Sequence, residues 1–174
     1  YDRDFRPNGA VVLPDRRAIE AFAGWRFGDG LALRGRAQQF VDGRDSGNAQ
    51  TTRTVGANLS GPFGAQSGIV GQVDLFVQDA DNELATLDRR SWVASANLGR
   101  TLGAGWYGQL GLYHQSIDDR IEGAADPDTS QVTAYATRAW NLGAYSGSVS
   151  PGLAWRRVNG GPGELTDVSP VLNF

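Results

Sequence analysis

Hydrophobic and polar residues alternate along most of this chain with a period of two, the pattern of β-strands whose two faces meet different environments. In segment 19–27, Trp25 shares one side with isoleucine and alanine residues, while Glu20 and Arg26 lie on the other. The alternation recurs and predicts nine strands, at residues 19–27, 31–41, 53–59, 69–77, 92–98, 106–112, 132–142, 145–155 and 165–174.

The predicted connections differ in length between the two ends of the strands. At one end they are short and contain glycine, as in tight hairpins: residues 28–30, 61–66, 103–105 and 143–144. At the other end they are longer and charged: residues 42–50, 78–89, 117–130 and 158–164. This sorting is typical of transmembrane β-barrels, whose strands turn apolar residues to lipid and polar residues inwards.

Strand direction adds a tenth element. The strands at 19–27 and 165–174 both run towards the short turns, so closing a single-chain barrel requires one more strand in the opposite direction. Residues 5–13 are the candidate, although Pro7 lacks a backbone donor. We therefore predict an all-β fold: an antiparallel up-and-down transmembrane β-barrel of about ten strands, with residues 1–174 as one domain. The alternatives are the C-terminal portion of a larger barrel and a soluble β-sandwich.

Polar residues on the inward side are predicted to line the barrel interior. They are Glu20, Arg26, Arg34, Arg36, Gln38, Asp74, Gln109 and Tyr113. A ten-stranded lumen is narrow, and two interpretations remain open. Arginines and acids pair and plug the lumen, or they line a narrow pore in which Arg34 and Arg36 favour anions. In a fragment of a larger barrel we expect a wide channel, because diameter grows with strand number.

Aromatic residues concentrate near the predicted strand ends, mostly on the apolar side. Amphipathic rings at two levels are expected where a barrel meets the two membrane–water interfaces. The predicted girdle residues are Trp25, Phe27, Trp92, Trp106, Trp140, Tyr145 and Trp155.

The last segment alternates and ends in an aromatic residue, with Val168, Leu172 and Phe174 on one side. It resembles the C-terminal β-signal of Gram-negative outer-membrane β-barrel proteins. The resemblance implies a place in the bacterial outer membrane, insertion by the barrel assembly machinery, and contact with outer-membrane lipid and lipopolysaccharide. Pro151 and Pro170 depart from the pattern, and we expect them at bulges, strand ends or the barrel seam.

Composition supports a curved sheet and excludes several other classes. The 174 residues include 24 glycines, which suit bends and tight turns. There is no cysteine for a disulfide or thiolate metal site, and no apolar run of transmembrane-helix length. The net charge of −3 gives no signal for nucleic acid. The lack of methionine leads us to expect a removed leader or an internal fragment.

Two constellations could carry chemistry. His114 lies near Ser116, Asp118 and Asp119, which invites comparison with a hydrolytic triad. The alternation instead places this histidine on the lipid side near the outer interface, so we predict no catalytic residue and no enzyme activity.

The acidic loops raise the question of calcium. Two clusters carry the acids: Asp79, Asp81 and Glu83 in one, and Asp118, Asp119, Glu122, Asp126 and Asp128 in the other. Neither matches the spacing of an EF-hand loop. We expect solvated loops, and predict no metal site and no cofactor.

The first functional hypothesis is an outer-membrane pore or a translocation or secretion channel. The alternative is a non-transporting structural or partner-binding barrel with a plugged lumen. A protein partner or an oligomer is compatible with both hypotheses.

Overall fold

The computed structural model describes residues 16–43, 47–64, 66–143, 145–160 and 164–173. The proposed first strand at 5–13 and the terminal Phe174 lie outside this part of the chain. The described residues form nine strands: β1 (Arg16–Arg26), β2 (Ala32–Asp42), β3 (Gln50–Pro62), β4 (Ile69–Asn82), β5 (Asp88–Gly103), β6 (Trp106–Asp119), β7 (Asp128–Leu142), β8 (Tyr145–Asn159) and β9 (Leu165–Asn173). No helix among these residues is long and apolar enough to cross a membrane.

The strands form one antiparallel sheet in the order of the chain, each paired with its neighbours in sequence. The all-β, up-and-down meander is therefore confirmed. Within the described residues the sheet is open, because β1 pairs only with β2 and β9 only with β8. The predicted ten-stranded closure stays a prediction.

One predicted loop is largely wrong. Residues 78–89 were expected to connect two strands, but β4 continues to Asn82 and β5 begins at Asp88. The added strand residues carry opposite charges that face each other, since Asp79 lies directly across from Arg90. Charged side chains alone do not distinguish a solvated loop from a strand that extends beyond an apolar zone.

The register keeps all nine strands in phase. One row of directly opposed residues, here called the central row, crosses the whole sheet: Trp25, Leu33, Leu59, Val73, Ala96, Leu112, Val132, Trp155 and Val168. Because side chains alternate between the faces of a strand, every second residue from this row lies on the same side. That side is the apolar face, and the other is the polar face.

The sheet curls towards its polar face. Ser91, Val93 and Ser150 on that face are buried, whereas Leu75 and Leu153 on the apolar face are 52% and 61% exposed. Gly56 also lies on the polar face, where a Cβ would come within 2.6 Å of the Cβ of Phe76. Cross-strand Cβ atoms are normally about 4.5–5.5 Å apart, so glycine allows the close approach.

The strand ends are staggered across the sheet. At the short-turn end, the distance from the central row to the last paired residue grows from hairpin to hairpin. It is one residue for Arg26, three for Pro62, six for Trp106 and ten for Leu142. At the long-loop end the distance from the central row to the last paired residue becomes smaller along the same series. It is nine residues for Gln50, eight for Asp81, four for Ser116 and three for Val158.

This stagger fixes the tilt of the strands. A shift of about 1 to 1.5 residues per strand, at ~3.4 Å per residue and ~4.8 Å between strands, corresponds to a tilt of roughly 35–45°. Strands that close into a barrel are tilted by about this angle.

The close packing of β4 on β5 gives a test of the register. A Cβ on Gly71 would collide with the Asn97 carbonyl oxygen and lie 3.0 Å from Leu98 Cα, whereas a Cβ on Gly35 meets nothing within 4 Å. We expect Gly71→Ala to lower the free energy of unfolding by about 1–3 kcal/mol, and Gly35→Ala, also on the apolar face, to leave it nearly unchanged. Denaturant unfolding of the refolded chain measures both, and equal midpoints would contradict the register.

Candidate functional site

The polar residues predicted to line an interior all lie on the polar face. Glu20 and Arg26 are on β1, Arg34, Arg36 and Gln38 on β2, Asp74 on β4, and Gln109 and Tyr113 on β6. They do not form one compact cluster, because they lie on four strands between β1 and β6. Three of them share one row, in which Arg34, Asn58, Asp74, Ser95 and Tyr113 are opposed in succession.

Hydrogen bonds join some of these groups. Asn58 Nδ2 donates to Asp74 Oδ1 at 2.8 Å, and Gln72 Nε2 donates to Asp74 Oδ2 at 2.7 Å. Tyr113 donates from its hydroxyl to Gln115 Oε1 at 2.8 Å. Within the described ranges, the side chains of Arg34 and Arg36 have no hydrogen bond or ion pair. The predicted pairing of arginines with acids is therefore not seen at these two positions.

A pocket of about 930 Å³ lies on the polar face between β1 and β5. Arg34, Arg36, Asn58, Asp74 and Ser95 contribute polar groups to its lining. Two aromatic side chains, Phe22 and Phe76, complete it. These phenylalanines were not among the residues predicted from the sequence to line the interior, although their place in the alternation puts both on the polar side, where an aromatic ring is unexpected.

The predicted girdle residues lie along the apolar face or beside it. Trp25, Trp106, Trp140 and Tyr145 are near the short turns, and Trp92 and Trp155 are nearer the long loops. Phe27 follows β1, in a turn closed by a hydrogen bond from its N–H to the Leu31 carbonyl oxygen. The Arg138 guanidinium lies 5.9 Å from the ring centroid of Trp106, close enough for a cation–π contact.

Charged residues replace apolar ones where the apolar face reaches the long-loop end. Asp79 binds Arg90 at 2.9 Å and Arg120 at 2.7 Å, Asp88 binds Arg120 at 3.0 Å, and Arg53 binds Asp81 at 2.6 Å. The hydrogen bond from Arg90 holds the pKa of Asp79 below its usual value, and Arg120 acts in the same direction. Asp79 lies beyond Val77, the last apolar residue of β4 on this face.

The acidic clusters are occupied by protein contacts. Asp119 accepts a hydrogen bond from the Ile121 N–H, and Asp126 accepts one from the Asp119 N–H. Glu83 accepts a hydrogen bond from the Ala49 N–H at 3.3 Å. Among the described residues, no group of three acidic or histidine side chains is arranged to hold a metal ion.

His114 is exposed on the apolar face, where alternation predicted it. Its Nδ1 shares a 3.0 Å hydrogen bond with the hydroxyl of Ser130, on β7. Ser116 lies in the next row, opposite Trp92 and Asp128. The predicted neighbours Ser116, Asp118 and Asp119 therefore make no hydrogen bond to this ring in the part of the chain described.

The C-terminal strand retains its alternation. Val168 and Leu172 lie on the apolar face of β9, and Phe174 is outside the described residues. Pro170 is also on β9, the last strand of the described sheet. Pro151 lies where the β7–β8 pairing is interrupted, between the pairs Tyr135–Gly152 and Arg138–Val149. Pro170 therefore lies on the last strand of the described sheet, and Pro151 lies at a break in the pairing. Both are places where a residue without a backbone donor is tolerated.

Comparison with protein-family models, curated proteins and solved structures yields no match for this chain. Its function is therefore inferred from the arrangement of its own residues.

The ion pairs at the long-loop end predict a pH-dependent contribution to stability. We expect Asp79→Asn to lower the free energy of unfolding at pH 7 more than Asp81→Asn, because Asp79 has two arginine partners and Asp81 one. A carboxyl whose pKa is lowered by folding stabilises the fold above its unfolded pKa of about 3.9, and this contribution is lost as pH falls through the lowered folded value.

Unfolding curves of both variants at pH 7 and pH 3 measure the effect. The difference between the wild type and Asp79→Asn should shrink at pH 3. A difference of the same size at both pH values would show that the ion pairs are not its source.

Proposed function

We propose that this chain forms an outer-membrane β-barrel, or the C-terminal part of one, that acts as a pore or translocation channel. The observation that carries the proposal is the inverted polarity of the sheet. In the middle of the sheet the concave face is polar and more sheltered, while the convex face is apolar and open, with Leu75 52% and Val55 62% exposed. In the described residues no second layer covers that apolar face. A soluble β-sandwich needs the opposite arrangement.

The height of the apolar face fits a bilayer. On this face Arg90 and Arg100 flank the apolar residues from Trp92 to Leu98 of β5, and Asp128 and Arg138 flank the corresponding part of β7, with Leu102, Trp140 and Leu142 beyond the second arginines. Ten residues of strand span about 34 Å. At the tilt given by the stagger, this length rises roughly 24–28 Å, close to the apolar band of about 25 Å in outer-membrane barrels.

The aromatic residues and charges support the same orientation. Tryptophan and tyrosine rings lie near both limits of the apolar face, as interfacial girdles do. The ion pairs at the long-loop end, which involve Arg53, Arg90 and Arg120, would then face the headgroup region, where contact with lipopolysaccharide is expected. Insertion by the barrel assembly machinery remains the expectation from the terminal β-signal.

A location in the membrane would require the open sheet to close into a barrel. Unpaired edge strands are not tolerated in lipid, because their backbone groups have no water to bind. The strand proposed at 5–13, further strands of a longer chain, or another protomer would therefore have to join β1 to β9. The unpaired Arg34 and Arg36 favour an open lumen over one plugged by ion pairs. A plugged, partner-binding barrel is the alternative.

Adjacent residues on β5 test membrane insertion. Ala96 lies in the central row of the apolar face, and Asn97 on the polar face. We expect Ala96→Arg to destabilise the inserted protein by about 2–4 kcal/mol, the cost of arginine facing lipid near mid-depth, and Asn97→Arg to insert nearly as well as wild type. Heat-modifiable gel migration and protease protection in lipid vesicles measure insertion. Equal insertion of both variants would contradict a lipid-facing apolar face.

Planar bilayers test transport itself. We expect stepwise ion conductance with a preference for chloride over potassium, measured from the reversal potential in a salt gradient. Arg34→Gln/Arg36→Gln should reduce that preference, whereas the charge-matched Arg89→Gln/Arg156→Gln should reduce it less. Inserted protein without conductance above background would rule out the pore and leave the plugged barrel.

A further inference from the structure

Two kinds of side chain, arginine and phenylalanine, line the polar-face pocket. Its volume of about 930 Å³ falls within the range of small-molecule sites, ~300–1,000 Å³. Arg34 and Arg36 lie on β2, between Phe22 on β1 and Phe76 on β4. Gly24 forms part of the pocket floor, and a Cβ there would meet only ordinary contacts of 3.7 Å, so no side chain fills the space above it.

Among the described residues, neither arginine of the pocket forms an ion pair or a side-chain hydrogen bond with an acidic residue. Arg34 and Arg36 point to the same face from positions two residues apart on β2, about 7 Å along the strand, and both are exposed. Asp74 is two strands from Arg34, about 10 Å across the sheet, and accepts hydrogen bonds from Asn58 and Gln72. Its charge is therefore held away from the arginines. Guanidinium forks with this freedom suit a phosphate or carboxylate group.

The two phenylalanines lie in line with one of these arginines. Phe22, Arg36, Gly56 and Phe76 form one row across four strands. Phe22 is 85% exposed although it lies on the polar face. Gly56 carries no side chain, and Phe76 packs closely against it. An apolar group beside the anion would cover the exposed ring of Phe22.

We propose that this pocket binds organic anions that carry an aromatic ring. Arg34 and Arg36 hold the anionic group, and the ring packs against Phe22 and Phe76. The proposal deepens the proposed channel by naming a class of solute, and its biological meaning rests on that function. Binding itself needs only the folded sheet.

Three probes separate the two halves of the recognition. Isothermal titration of the full chain, refolded in detergent micelles, compares phenyl phosphate, inorganic phosphate and benzyl alcohol. We expect one phenyl phosphate per chain, bound at least ~10-fold more tightly than inorganic phosphate, and weaker binding still for benzyl alcohol. Equal affinity for phenyl phosphate and inorganic phosphate would overturn the aromatic half of the proposal.

Variants locate the binding in this pocket. Arg34→Gln/Arg36→Gln should weaken phenyl phosphate binding at least ~10-fold. Gly24→Leu should also weaken it with both arginines intact, because a Cβ at Gly24 meets only ordinary contacts of 3.7 Å and the larger side chain occupies the pocket. The control Arg89→Gln/Arg156→Gln removes the same charge from the polar face outside the pocket and should leave binding within about twofold. Equal weakening by the control and the pocket arginines would overturn the site.

The outcomes separate this site from the channel. Saturable binding that depends on Arg34, Arg36 and Gly24 supports the site even if planar bilayers show no conductance. Conductance without saturable phenyl phosphate binding by folded protein overturns the site and leaves the channel. Heat-modifiable migration of each variant shows whether it has folded before it is titrated.

Discussion

The hydrogen-bonded register of the antiparallel ladder is the constraint on which the rest of this structure depends. A slip of one residue between two strands would turn every side chain of one strand to the opposite face. Eight successive ladders preserve the phase, so that the central row stays apolar from Trp25 on β1 to Val168 on β9. The separation into two faces is therefore a property of the whole sheet.

Curvature and polarity follow from that register. On the polar face, glycine at position 56 accommodates the close approach of β3 and β4, and serines such as Ser91 lie buried in the concave side. On the convex side, large apolar residues stay exposed over all nine strands. In water this arrangement would leave a broad apolar surface uncovered. In a bilayer the same surface would be solvated by lipid, and the polar concavity would form the route across it.

The sequence predicted the strands well because period-two alternation records which environment each face meets. Nine strands, their order and the four short turns could all be inferred, and the residues chosen as inward-facing share one face. The extension of β4 and β5 was missed because Asp79 and Arg90 carry charge, and only the register shows that they pair across the sheet. Phe22 and Phe76 were not selected because their place in one row with Arg36 and Gly56 is a relation between strands. The tilt of the strands could not be predicted from the sequence either, because it is derived from the stagger of strand ends between successive hairpins.

All five tryptophans lie on the apolar face, and they provide the most direct test of the central claim that this face meets lipid. The measurement is tryptophan fluorescence of the chain in vesicles of lipids brominated at defined depths in the acyl chain. Residues in interfacial girdles should be quenched strongly, and more by bromine near the headgroups than by bromine near the chain ends. Fluorescence unaffected by brominated lipid but quenched by aqueous iodide would place the apolar face in water and contradict the account.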